Sequence, residues 1–407
     1  MGLIERDLAG TAFPNLRLGG VPVALSLVND VAAAEADWRV LERDALLSPY
    51  QRFNLLAAWH SHVGVKSGIE PFLVTGHDAA GAPLFLWPLG LSTQWPLRVV
   101  HFLGGKHVSF NIGLWRRDIA SNALPEELRA ILAALAVHTR ADLMVLLRQP
   151  ESWQGIANPF ATLPHQACAD QCARLDLDRS GDELIKSVIG SAMRGRLRTK
   201  ERRLQKLPGY RTTKAQAPAD VDRLLDHFFA MKAVHMAAQG IPNVFIEPGV
   251  TDFIREACHR GLSKGRPAIE LHALECDDEV LALFGASCDD RRFSLMFNTY
   301  TLSDNARQSP GLVLLTHLVE QCAARGLTSF DLGVGHAHYK SFFCKEPEPL
   351  FDSFLPLSPL GRLAAHGLGA AHGAKRLVKE TPALRDMVTF MRRLRARKPA
   401  DDKSAND

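Results

Sequence analysis

SPGLVLLTHLVEQCAARGLTSFDLGVGHAHYKSFF, from Ser309 to Phe343, is the stretch that decides the fold. Ser309 is a residue of the capping type, Pro310 suits a first helical turn, and Gly311 lets a ligand approach the backbone. The residues that follow are apolar to Ala324, and Gly326 ends the run as helix terminators do. Unpaired N–H groups and the helix dipole at Gly311 predict an anion site of the kind a pyrophosphate fills. Ser329–Leu332 then reads as a strand, and Asp331-Leu332-Gly333-Val334-Gly335 leaves it through two glycines. Tyr339, Lys340 and Phe342 follow. An acid, a phenol and an ammonium thus gather at the carboxyl end of one strand.

Upstream, Arg292–Tyr300 reads as the strand before that helix, and Ile269–Ser287 as a strand–turn–strand before that. Asp182–Leu207 reads as one long basic helix, Tyr210–Gln216 as a strand, and Ala219–Ala238 and Val250–Leu262 as helices. The first half has the same layout. Ala32–Leu47 and Arg52–Val63 read as helices, Pro71–Leu91 as a hairpin with Gly81 in its turn, and Arg98–Leu103 as a strand. Pro125–Thr139 is a helix with Pro125 in its first turn, and Leu143–Leu147 a buried strand. Both hairpins run apolar strand, acidic turn, apolar strand. We therefore expect an α/β protein with two tandem domains of one kind, 1–175 and 176–360, each a mixed sheet flanked by helices. A third segment, 361–407, carries a basic amphipathic helix over Ala383–Ala396 and a polar tail, Asp401–Asp407.

Composition fits this division. The 407 residues are 46% hydrophobic and 23% charged, enough apolar material for two cores. The net charge of +4 is unevenly spread: eight Lys/Arg against Glu201 alone between Lys186 and Lys206, and ten against Glu380 and Asp386 between Arg362 and Lys398. Such blocks suit a phosphate-bearing partner or an anionic membrane face. DNA is not expected, because no aromatic residues interleave the arginines and no binding module is present. Seven scattered cysteines argue for reduced thiols in a cytoplasm. His165, Cys168 and Cys172 lie close in sequence but lack a fourth ligand and standard zinc spacing, so no metal is expected. Met1–Gly20 lacks the pattern of a secretory leader, and no run reaches the ~20 apolar residues of a spanning helix. The expected location is cytoplasmic. The Ala383–Ala396 helix leaves open a peripheral contact on the inner membrane, with packing on the protein's own surface as the alternative.

Ser309-Pro310-Gly311 with its helix, Phe330-Asp331-Leu332-Gly333, and Gly335 with Tyr339-Lys340 resemble the CelD-type acetyltransferases. That family belongs to the GNAT superfamily and is related to the Fem-type peptidoglycan aminoacyltransferases. The arginines from Arg198 to Arg203, the Ala268–Ser287 hairpin, Asn298-Thr299-Tyr300 and the first-half Trp87-Pro88-Leu89 agree with it, over roughly Leu46 to Pro356. One departure is the coenzyme loop: Arg307-Gln308-Ser309-Pro310-Gly311 stands where ordinary GNAT proteins carry a richer glycine loop.

The resemblance implies two tandem GNAT-like domains and an acyltransferase taking acetyl-CoA or a longer acyl-CoA as co-substrate, with no metal. Ser309, Gly311, Leu312 and Tyr300 are the implied coenzyme residues. The catalytic candidates are Asp331, His336, Tyr339 and Lys340. His336 and His338 offer an imidazole base, Tyr339 an acid for the thiolate, and Asp331 a base or an orienting group. Each has a plainer structural reading: loop histidines in solvent, a packed phenol, a strand-end acid bonding nearby amides. For the acceptor, Arg194, Arg198 and Arg202 share one helix face at four-residue spacing, and His107 and Asn111 sit in the polar loop Gly104–Asn111. The amine acceptor is expected to be a cell-envelope precursor, an amino sugar or an amino lipid such as a sphingoid base. Two alternatives stand beside it. A Fem-like aminoacyl-tRNA-dependent transferase is disfavoured because no coiled-coil pair is present, so tRNA is not the expected partner. A non-catalytic scaffold of a polysaccharide or lipid assembly complex needs none of the candidate residues.

Overall fold

The computed structural model describes residues 16–179, 181–335, 339–344 and 347–381. Its strands, in chain order, are β1 (Ala24–Val28), β2 (Glu70–His77), β3 (Pro83–Gln94), β4 (Leu97–Phe102), β5 (Leu143–Pro150), β6 (Gln166–Ala167), β7 (Cys172–Asp176), β8 (Arg211–Lys214), β9 (Glu270–Cys276), β10 (Glu279–Cys288), β11 (Arg292–Tyr300), β12 (Ser329–Val334) and β13 (Leu350–Pro356). Short pieces such as Leu114–Trp115 supplement them. The helices that matter below are α1 (Glu35–Asp44), α2 (Phe53–Trp59), α3 (Pro125–His138), α4 (Gly181–Val188), α5 (Ser191–Leu204), α6 (Pro218–Ala238), α7 (Val250–His259), α8 (Pro310–Ala324), α9 (Lys340–Phe343) and α10 (Pro359–Glu380).

Two mixed sheets carry the architecture. The first runs β6-β13-β5-β4-β3-β2-β1, with Leu114–Trp115 added on β3; the second runs β7-β12-β11-β10-β9-β8. In each, four consecutive antiparallel strands lead to one parallel pair. Parallel neighbours need a crossover, and a helix supplies it: α3 between β4 and β5, α8 between β11 and β12. The parallel ladders are equally short. Val99, Val100 and His101 face Leu143, Met144 and Val145; Arg292, Phe293 and Ser294 face Ser329, Phe330 and Asp331. Each sheet is then completed by an antiparallel strand from outside the repeat, β13 on β5 and β7 on β12. The repeated layout is therefore a repeat of strand order and direction.

Burial follows from the apolar alternation. One core gathers Trp38, Phe85, Trp87, Trp115 and Phe160 and continues through Phe253 of α7 and Phe228 of α6 to Leu271 and Leu283 of the second sheet. A second core lies on the opposite face of that sheet, where Leu314 and Leu318 of α8 meet Phe293, Leu295 and Phe330. Helix α8 is thus apolar because it packs between α4, α5 and the sheet. Residues from the first half also touch β10 and β11 directly: the Ser287 hydroxyl donates to Pro49 O (3.1 Å) and the Tyr50 hydroxyl to Leu295 O (3.4 Å).

Some expectations change. The long basic helix over Asp182–Leu207 is two helices, because Gly190 takes an extended conformation (φ −59°, ψ 150°) between α4 and α5. The second first-half helix is α only over Phe53–Trp59 and widens into a π-type turn over His60–Gly64. Its predecessor begins at Glu35, after a turn in which the Ala32 amide donates to Asp30 Oδ1 (2.9 Å). Past β13, Gly361 onward continues as helix α10, capped by the Ser358 hydroxyl on the Gly361 amide. The expected basic helix over Ala383–Ala396 and the tail beyond lie outside the described residues. Among the described residues no helix is long and apolar enough to cross a membrane.

Candidate active site

The parallel ladder between β11 and β12 stops at Ser294 and Asp331, yet β11 runs on to Tyr300. Two features part the strands. Met296 is an extra residue in β11, since Leu295 pairs with Ala286 while Phe297 pairs with Gly285; such a bulge bends the strand. On the other side, Gly333 and Gly335 have φ of +71° and +90°, turning the chain away. A side chain at Gly333 would stand 3.1 Å from Leu295 O and 2.9 Å from the Ser109 hydroxyl, so glycine is required by both torsion and space.

Past the bulge, β11 has one open edge. The Thr301 amide donates to Leu281 O of β10 (2.9 Å), so by the alternation of an antiparallel ladder Thr299 and Phe297 also face β10. The amides and carbonyls of Asn298 and Tyr300 therefore face the gap. Helix α6 confirms this at one atom: Lys232 Nζ donates to Asn298 O (3.0 Å). One turn on, His235 Nδ1 bonds the Thr299 hydroxyl (3.1 Å) and its ring lies 4.6 Å from that of Tyr300. Burial lowers the pKa of Lys232. Burial, then the Lys232 charge, lowers that of His235, which is neutral at pH 7. His235 Nε2 is enclosed and has no hydrogen-bond partner among the described residues.

From the β12 side, the Tyr339 phenol accepts from Asn298 Nδ2 (3.2 Å), and burial raises its pKa so that it keeps its proton. Lys340 is turned onto the backbone, donating to Gly333 O (3.1 Å) and Val334 O (2.9 Å), the last carbonyls of β12. Burial lowers its pKa. Asp331 is fully buried and accepts from Arg292 Nε (2.8 Å), the Ser294 hydroxyl (2.6 Å) and the Gly333 amide (3.0 Å). With no exposed oxygen it holds the base of the gap together and is closed to an acceptor amine. His336 and His338 lie outside the described residues.

The start of α8 opens beside β11. A side chain at Gly311 would meet Tyr300 Cβ at 3.8 Å, so the coenzyme candidates Tyr300 and Gly311 face each other. Ser309 does not cap. Its φ of +52° turns the side chain out, and its hydroxyl accepts from Lys200 Nζ of α5 (2.7 Å). The Leu312 and Val313 amides both donate to Ser309 O (3.0 and 3.2 Å), and Pro310 has none, so the Gly311 amide is the one left for an anion. That is fewer backbone donors than the sequence promised. Lys200 and Arg203 offset this, since Arg203 reaches Gln308 Oε1 (3.5 Å) on the turn preceding α8.

The arginine face splits. Arg194 and Arg198 line a hollow between α4, α5 and α8, where Arg198 pairs with Asp182 (3.0 Å), while Arg202 is exposed. His107 is packed between Trp59 and Phe253 of α7: its Nδ1 accepts from Trp59 Nε1 (3.0 Å), and burial, then Lys106, lowers its pKa to about 4. Asn111 is buried, donating to Leu147 O (3.2 Å). Of that loop it is Ser109 that meets the site, accepting from the Val334 amide (3.4 Å). His165, Cys168 and Cys172 do not converge: His165 bonds Leu163 O, and Cys172 is buried beside Arg292.

The sequence reading did not single out Lys232, His235, Arg292 or Lys200, while Ser109 falls within the polar loop Gly104–Asn111 that it named. A Lys and a His three apart in KAVHM were the available signal for α6, since both fall on the face that turns inward.

Residues 191–341 match the acetyltransferase (GNAT) domain family. No curated protein matches the chain in sequence. Among solved structures, a conserved protein of unknown function from Bacteroides thetaiotaomicron is similar over 81% of this chain and 99% of that one, with TM-score 0.51 and 11% identity. L-PGS from Bacillus licheniformis aligns over 81% and 92% with TM-score 0.46 and 14% identity, and FemX over 76% and 97% with TM-score 0.49 and 10% identity. Identities this low speak to fold alone, and the likeness of fold rests on the first of the three.

Proposed function

We propose that the chain is an acyl-CoA-dependent N-acyltransferase whose second half, a GNAT acyltransferase domain, acts on an amine of a cell-envelope precursor, in the manner of the CelD-type enzymes. The observation that carries this reading is the parted pair β11–β12 with the Gly311 end of α8 beside it, inside the stretch that matches the GNAT domain.

The residues fit such a thioester. Gly311 offers an amide and no side chain, and Lys200 and Arg203 add cations for the phosphates. The open edge of β11 offers the Asn298 and Tyr300 amides to an extended, amide-bearing arm and to the carbonyl oxygen as charge develops on it. The amine nitrogen forms a bond to the acyl carbon as the carbon–sulfur bond breaks. Tyr339, protonated and aligned by Asn298, supplies the proton for the leaving sulfur. The proton that the amine sheds goes to His336, the imidazole that follows the Gly335 exit of β12 in sequence. Asp331, Lys340 and Lys232 position the two strands.

The acceptors we favour are the amino sugar of a polysaccharide or a sphingoid-type amino lipid, met in the cytoplasm or at the inner membrane face. Free thiol release by purified protein from acetyl-CoA and palmitoyl-CoA, against glucosamine- and sphinganine-type amines, tests the reading. Transfer lowered in kcat by Tyr339→Phe supports it; calorimetry showing that neither thioester binds sinks it.

A further inference from the structure

We propose that the first sheet holds a second ligand site, distinct from the β11–β12 gap, that binds an amphiphile with an oxyanion head on an apolar body. The parallel pair β4–β5 stops after three residue pairs, as β11–β12 does, and at that place lies a cavity of about 490 Å³. That volume is in the range of small-molecule sites. Its apolar wall includes Val99, Phe102, Val145 and Leu147, and Leu368 of α10 adds to that wall.

Arg148 decides the head group. It lies on β5 with φ +55°, a conformation that side-chain-bearing residues adopt at some strain and that clusters at ligand clamps. Its backbone is fixed there: its amide donates to Asp352 Oδ1 (2.8 Å), and its carbonyl accepts from the Asn111 amide (2.9 Å). Among the described residues its guanidinium donates to Gly105 O alone (2.6 Å), leaving most of its five donors unused. The acids of the wall are already engaged, Asp352 with His372 and the Arg148 amide, Asp170 with Lys379. Lys375 of α10 adds a further cation. A half-buried guanidinium whose neighbouring acids, Asp170 and Asp352, act on it by charge while hydrogen-bonded to other groups keeps free donors above an apolar hollow, which favours an anion that brings an apolar body with it. A carboxylate and a phosphate monoester share that chemistry.

Calorimetry on the full chain tests this with decyl phosphate, decanoate, inorganic phosphate and decyltrimethylammonium, all below their micellar concentrations. The expected result is that one or both decyl anions bind at least tenfold more tightly than inorganic phosphate, and the decyl cation does not bind. Arg148→Met weakens the anion at least tenfold, as does Val145→Trp, which fills the hollow. Should Arg148→Met fail to fold by near-UV circular dichroism, Val145→Trp and the head-group comparison decide. The proposal is overturned if folded variants bind within twofold of wild type, or if the decyl cation binds as well as the anions. Coenzyme A binding is expected to stay within twofold in Arg148→Met; its parallel loss means one shared site and also overturns the proposal. If coenzyme A does not bind wild type at all, the acyltransferase reading fails while the decyl arms still judge this site.

Discussion

Arg292 Nε donates to Asp331 Oδ2 at 2.8 Å, and the same guanidinium bonds Glu348 (2.8 Å) while lying against the adjoining rings of Phe110 (4.9 Å) and Trp153 (4.6 Å). One side chain thus joins both strands of the parallel pair, two aromatic residues of the first half and the segment leading to β13. Burial pulls the Arg292 pKa down, but Asp331 and then Glu348 outweigh it, so the guanidinium stays charged. A buried ion with two carboxylates and two rings is stable only as a set.

Breaking that set is expected to be expensive. Asp331→Ala removes an acceptor from Arg292, Ser294 and the Gly333 amide at once. We expect a loss of about 3–5 kcal/mol, the range for stripping one partner from a buried pair. Asp331→Asn, which keeps shape without charge, should lose less. Urea unfolding followed by circular dichroism measures both, and a loss under about 1 kcal/mol for the alanine variant contradicts the assignment of Asp331 as a structural anchor.

Lys200 and Arg203 are expected to act on binding more than on chemistry. They sit at the start of α8, through Ser309 and Gln308, and not at the open edge of β11. Reversing both, Lys200→Glu with Arg203→Glu, should raise KM for an acyl-CoA roughly tenfold or more and leave kcat within about threefold, as expected for lost uniform binding. Steady-state kinetics decides; a fall in kcat with unchanged KM assigns these residues elsewhere.

The sequence made the skeleton legible where periodicity and punctuation agree. Pro125 and Pro310 marked two helix starts, the apolar hairpins marked the antiparallel strands, and the Gly333–Gly335 exit marked where the strands part. It could not show that Asp331 would be spent on Arg292, because the two are 39 residues apart and only the β11–β12 register joins them. Ser309 misled for a local reason: its residue type favours capping, but the preceding turn Asp304–Gln308 puts it at φ +52°, where its hydroxyl meets Lys200. Lys232 and His235 were hidden because α6 reads as an ordinary helix until its packing on β11 is known.

Gly333 makes a sharper test of the parting of the strands. Gly333→Ala adds a methyl 3.1 Å from Leu295 O, at a φ of +71° that alanine resists. The expected stability loss is about 1–3 kcal/mol from torsion and crowding. Because the chain must move to relieve the contact, transfer activity should fall more steeply than stability, by tenfold or more at a temperature where the variant is folded. Equal activity per folded molecule would falsify the role given to this turn.

His107 sets a pH dependence of stability that is separate from catalysis. In the folded chain its Nδ1 accepts from Trp59, its Nε2 is enclosed with no partner among the described residues, and its pKa falls from an ordinary value near 6.5 to about 4. A histidine depressed on folding binds fewer protons in the native state. Its contribution is therefore whole above about pH 6.5, declines as pH falls through the window from 6.5 to about 4, and is gone below it. The full swing is on the order of 3 kcal/mol. His107→Gln keeps an acceptor for Trp59 without titrating, so its urea midpoint should fall less than that of wild type between pH 7 and 4.5. Parallel curves for the two proteins mean that other groups carry the acid sensitivity.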